Sequence, residues 1–114
     1  MVVVFKERHV GSVTILECVG RQTAGEGKPA LNLRVQDLLA EGRILLLLDL
    51  GQVSTIYSED ISALVRAFIS TGRCGGKLKL LKLSPRPRQV LDATRLFNVF
   101  EAFDDESAAI ASFE

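Results

Sequence analysis

The 114-residue chain has no tryptophan, one histidine, two cysteines, three prolines and no excess of either charge, with 14 Lys plus Arg against 14 Asp plus Glu. Each scarcity removes a class of function. A formally neutral chain has no surplus of cations to displace counterions from a polyanion, so nucleic acid is not an expected partner. His9 stands alone, and Cys18 and Cys74 are far apart and outside any CxxC pair. The ligand set of a zinc site is therefore missing, and no metal is expected. A Ser-His-Asp triad would have to use His9, beside a turn in VFKERHVGS, and no Gly-x-Ser-x-Gly elbow occurs. No catalytic residue and no cofactor are expected, and the chain reads as a non-enzyme. Met1 to Phe5 is apolar but has neither the basic leader nor the length of a signal peptide. The run Ile44 to Leu48 falls far short of the roughly 20 residues that span a bilayer as a helix. The expectation is a cytoplasmic protein with no membrane contact and two free thiols.

What remains is globular: 47% of residues are hydrophobic and 25% charged, enough apolar surface for one core and too short a chain for two. Residues 1–114 are expected to form one domain. Val2 to Glu7 and VTILECV, Val13 to Val19, read as two strands joined at Gly11-Ser12. Ala30 to Leu39 spaces apolar residues by three and four, with Pro29 at its first turn and Gly42 just past its end, which predicts a helix. Ile44 to Leu50, ILLLLDL, has no alternation and predicts a central strand covered on both faces. Ser58 to Ser70 predicts a second helix ending by Gly72, with Ser58 as its N-cap. Lys77 to Leu83, KLKLLKL, predicts a strand with one wetter side near the sheet margin. Pro85 and Pro87 introduce a third helix carrying Val90, Leu91 and Leu96. A short strand at about Val99 to Phe103 and a helix from about Asp105 to Ser112 complete the order β-β-α-β-α-β-α-β-α. That alternation predicts an α/β fold with a mixed sheet of about five strands and about four helices.

Three segments invite a chemical reading. Asp104-Asp105-Glu106 is explained by the favourable interaction of acids with a helix N-terminus. Gly20 to Lys28, GRQTAGEGK, resembles a phosphate loop, but it lacks the Gly-Lys-Ser/Thr ending and Pro29 removes a donor. It reads as a strand-to-helix turn whose Arg21 and Thr23 are candidate rim contacts. Asp49 to Leu64, DLGQVSTIYSEDISAL, is the informative stretch: a buried strand runs into a polar loop and then the start of a helix.

VTILECVGRQTAGEG, LLAEGRILLLLDLGQVSTIYSEDISALV and RCGGKLKLLKLSPRPRQVLDATRLFNVFEAFDDESAAIASF together resemble the STAS family, the domain of anti-sigma-factor antagonists and of sulfate-transporter tails. Antagonists of that family carry Asp-Ser-x-Gly-Leu, whose serine is phosphorylated by an anti-sigma factor that is also a kinase. The resemblance places that serine at Ser58 and the leucine at Ile61. It implies a bacterial regulator of transcription that docks an anti-sigma factor/serine kinase through Ser54, Thr55, Tyr57, Ser58, Glu59, Asp60, Ile61 and Ser62, as a monomer or weak homodimer. Tyr57 stands in place of the aspartate and Asp60 in place of the glycine, so a phosphate on Ser58 would lie beside the Glu59 and Asp60 carboxylates. Two other readings stay open. One is a STAS scaffold or sensor subunit that binds another regulator constitutively through the acidic pair. The other is a small-ligand or nucleotide site at Gly20 to Lys28.

Overall fold

The computed structural model describes residues 5–19, 30–53, 56–95 and 99–114, apart from the side chains of Ala30 and Glu59. Five strands, β1 (Phe5–Val10), β2 (Val13–Cys18), β3 (Leu45–Asp49), β4 (Lys77–Leu81) and β5 (Ala102–Phe103), form one sheet in the order β1-β2-β3-β4-β5. Four helices intervene: α1 (Ala30–Ala40), α2 (Ser58–Arg73), α3 (Pro85–Ala93) and α4 (Glu106–Ala111). The β1–β2 pair is an antiparallel hairpin and every later pair is parallel, so the sheet is mixed, as the alternating elements predict.

The register explains the core. Leu46 lies between Thr14 and Leu78, and Leu48 between Leu16 and Leu80. Side chains alternate across a strand, so one face of the sheet gathers Leu16, Leu46, Leu48, Leu78 and Leu80 beneath α1, α2 and α3. The other face gathers Val13, Ile15, Leu47 and Leu81 beneath Ala109 of α4 and Phe113. Leu46, Leu47 and Leu48 are all fully buried, as a strand without alternation must be. Each such side chain contributes roughly 1.5–3 kcal/mol.

Differences from the sequence-based boundaries have local causes. β1 is observed at Phe5–Val10, and residues 1–4 lie outside the described set. α2 does not stop at Gly72 but runs to Arg73. The buried Thr71 hydroxyl donates to the Ala67 carbonyl within the last turns, and the chain reverses at Gly75, whose φ of +78° a side chain would resist. There the Gly76 and Gly75 amides close on the Thr71 and Gly72 carbonyls, the double bond pattern that ends many helices. α1 ends in the same way at Gly42 (φ +84°), as its sequence predicts. α3 stops at Ala93, and Leu96 lies outside the described residues. The terminal strand is only Ala102–Phe103, while Phe100 is buried edge-on against Phe68, with ring centroids 5.3 Å apart.

The expected wetter side of β4 is confined to Lys77 at its start: Lys79 is only 4% exposed. The residues after α4 cover that face. The Lys79 ammonium donates to the Ser112 carbonyl and hydroxyl, each at 2.9 Å, and lies 3.5 Å from Glu101 and 4.7 Å from the Phe113 ring centroid. A cation at a helix C-terminus meets the negative end of the dipole, which offsets part of the cost of burying it.

Both cysteines are free, Cys18 buried and Cys74 exposed. Burial, followed by the Asp49 and Glu17 carboxylates, pushes the Cys18 thiol up from 9.0 to about 12. A thiol reagent should modify Cys74 in the native protein and Cys18 only on unfolding. Because folding favours the protonated Cys18 thiol, its stabilising contribution is intact below pH 9.0 and disappears as pH rises towards about 12. Urea titrations across that interval should show a smaller alkaline loss in Cys18→Ala than in the parent. Leu46→Ala should cost about 2–5 kcal/mol in the same titration, and Leu46→Asp should abolish the unfolding transition.

Candidate functional site

The loop leaving β3 is tied down at both ends. Asp49 is 4% exposed, and its Oδ1 accepts the Gly51 amide at 2.9 Å, which turns the chain away from the sheet. The Leu50 amide donates to the Leu81 carbonyl and the Val53 amide to Leu50, while Ile56 is buried in the core at the far end. A rigid strand end therefore positions the first turn of α2.

That turn begins one residue earlier than a serine cap predicts. Tyr57 holds the extended N-cap conformation (φ −110°, ψ 174°), and the Ile61 amide donates to its carbonyl at 3.0 Å. Asp60, at the third helical position, accepts the Tyr57 amide on Oδ2 at 2.7 Å, the back-bond of a capping box. Ser58 is thus the first residue of the helix and not its cap. The acid three residues beyond Tyr57 sets the start, and Ser58 is left exposed. Asp60, which stands where the antagonist pattern has glycine, has a structural post in this chain.

Ser62 lies one turn beyond Ser58, on the same side of the helix, and is also exposed. Tyr57 is 38% exposed. Ile61 is half-buried and packs against the core beneath α1 and α2, so it is divided between scaffold and surface. The structure thus brings Tyr57, Ser58, Asp60, Ile61 and Ser62 together. Ser54, Thr55, the Glu59 side chain, Arg21 and Thr23 lie outside the described residues, as does the glycine-rich segment Gly20 to Lys28.

The other segments singled out above have structural explanations. Asp105 caps α4 by accepting the Ala108 amide at 2.9 Å, and Asp104 pairs with Arg88 at 3.1 Å. Glu106 receives both Arg8 nitrogens, at 2.6 and 3.2 Å, and that hydrogen-bonded guanidinium holds its carboxyl below the usual range. His9 is exposed on β1 and bonds Glu7 at 2.6 Å. Among the described residues no cluster of His, Cys, Asp and Glu could hold a metal, and no helix is long and apolar enough to cross a membrane.

Sequence reasoning missed a shallow depression of about 340 Å³ next to the β3 exit, lined by Gly51, Gln52, Ser84, Pro85 and Arg86. The signal for it lies in the topology: β3 and β4 are parallel neighbours, so the segments following them emerge side by side at one end of the sheet.

The model of the STAS domain matches residues 7–109. The chain belongs to the STAS domain family. Solved structures share its fold. A candidate anti-sigma factor antagonist from Thermotoga maritima superposes with a TM-score of 0.83 at 22% identity, covering 96% of this chain and 93% of that one. An anti-sigma factor antagonist from Mycobacterium paratuberculosis gives 0.83 at 18%, covering 98% and 94%. The Bacillus cell fate determinant SpoIIAA in its phosphorylated form gives 0.73 at 16%, covering 97% and 100%. A search of curated proteins found no match. These identities establish the STAS fold, a five-strand mixed sheet with four helices.

The capping geometry separates two side chains of this STAS domain by their effect on stability. Asp60→Ala removes the acceptor of the Tyr57 amide and should cost about 0.5–1.5 kcal/mol in urea unfolding. Ser58→Ala should change stability by no more than about 0.5 kcal/mol. A larger cost for Ser58→Ala than for Asp60→Ala would return the cap to Ser58.

Proposed function

We propose that this STAS domain is an anti-sigma-factor antagonist acting in the bacterial cytoplasm, which docks an anti-sigma factor/serine kinase through the first turn of α2 and is released when Ser58 is phosphorylated. The observation that carries the reading is the exposure of Ser58 at the first position of a 16-residue helix, beside Tyr57 and Ser62. The chain supplies the docking face and the hydroxyl, and the phosphoryl chemistry belongs to the kinase.

Electrostatics gives the switch its direction. A phosphate at Ser58 gains from the helix N-terminus, yet it brings about 1.5–2 negative charges into the turn where Asp60 is already fixed on the Tyr57 amide. At about 5 Å each like-charge pair costs roughly 1 kcal/mol in water and a few times more at an interface of lower dielectric. A partner packed against the neutral serine would have to desolvate that charge.

A second reading draws on the same bond. Because Asp60 is anchored, the turn carries standing negative charge that a regulator of another kind would recognise without any switch, making the domain a scaffold or sensor subunit.

Incubation with its anti-sigma kinase and ATP, followed by mass spectrometry, separates the readings. The antagonist reading expects phosphate on Ser58, none on Ser58→Ala, and a loss of affinity of at least roughly tenfold for Ser58→Asp, about 1.4 kcal/mol or more. Phosphate elsewhere or nowhere, with unchanged affinity for Ser58→Asp, favours the constitutive reading.

A further inference from the structure

The C-terminal half of α2 carries a second surface that the switch reading does not use. α1 and α2 meet over Val35 and Ala67, each 1% exposed, which form the floor of an open groove of about 440 Å³. Its rims are Leu33 on α1 and Ile69 on α2, which at 48% and 47% exposure are the two most exposed large hydrophobic residues among those described. Arg66 and Arg73 are the ionisable groups lining it. They are exposed, and among the described residues neither makes an ion pair. Two cations with no lining acid give the groove a charge of +2 in a chain whose total is zero.

We infer that this groove is a docking site for an acidic amphipathic helix of a partner protein. The spacing argues for a helix: Arg66 and Arg73 are seven residues apart, two turns or about 10.5 Å along α2, with Ile69 between them. A helix laid in the groove with acids two turns apart would meet both guanidinium groups while its intervening apolar residues cover Leu33 and Ile69. Charge complementarity selects the occupant. A second copy docking by the same face would set Arg66 and Arg73 against their own equivalents, a like-charge arrangement that opposes a two-fold contact.

The probe is an N-acetylated, C-amidated alanine- and glutamine-based helical peptide with Glu at positions i and i+7 and Leu at i+3 and i+4. It is titrated into isotope-labelled protein. The inference expects saturable shifts of the Leu33 and Ile69 signals, and an affinity weakened roughly tenfold or more in R66E/R73E. The peptide with Lys in place of Glu should recover binding to R66E/R73E and not to the parent, which keeps the result independent of any effect of the substitutions on folding. Ser58→Asp should bind the probe as the parent does, so failure here leaves the Ser58 reading untouched. No shift at millimolar peptide, or equal binding of the Glu and Lys peptides to the parent, would overturn the inference. Self-association of the parent that R66E/R73E abolishes would also overturn it, because it would give the groove to a second copy.

Discussion

The structure depends on the burial of β3 from both sides. Leu45 to Leu48 offer no polar face, so the strand can exist only between two parallel neighbours with helices against each surface of the sheet. Parallel pairing requires crossovers, and the crossovers place α1 and α2 side by side over the Leu46 and Leu48 face. The exit of β3 is then fixed in space by Asp49 and Leu50. The proposed serine turn lies on the helix that this exit launches, and the cationic groove lies between that helix and α1.

α2 consequently contributes to both proposed surfaces. Its N-terminal turn is neutral at Ser58 and Ser62, with Asp60 held on the Tyr57 amide, and its C-terminal half presents Arg66 and Arg73 beside exposed apolar side chains. Other charges that the sequence leaves conspicuous have fixed posts. Arg8 ties β1 to Glu106 of α4, Arg88 reaches Asp104, and Lys79 closes the end of α4. With those charges engaged, the exposed serines and guanidinium groups of α2 are the features proposed for recognition on a chain of zero net charge.

Element order was legible in the sequence because each element writes its own periodicity: an unbroken leucine run for a doubly covered strand, three- and four-residue spacing for the helices, Gly42 for a helix end. What escaped were features decided by neighbours far along the chain. Lys79 looked solvent-facing because KLKLLKL alternates, but Ser112 and Phe113, which follow α4 far along the chain, cover it. Ser58 looked like a cap because serine is a good one, whereas the Asp60 back-bond moves the cap to Tyr57 and makes Ser58 the first helical residue. The α1–α2 groove could not be read locally at all, since Leu33 and Ile69 become a pair only when two helices pack. Of the residues proposed for docking, five are brought together at the start of α2, and that much follows from their sequence adjacency alone.

The central claim is that another polypeptide packs on the neutral Ser58 hydroxyl in the turn that opens α2. Hydrogen–deuterium exchange of the STAS domain with and without the proposed anti-sigma kinase tests it most directly. The account requires new protection centred on residues 56–65, erased once Ser58 carries phosphate, with the β1 edge and α4 unchanged. Protection confined to β1 or α4, or protection at α2 that persists after phosphorylation, would contradict it.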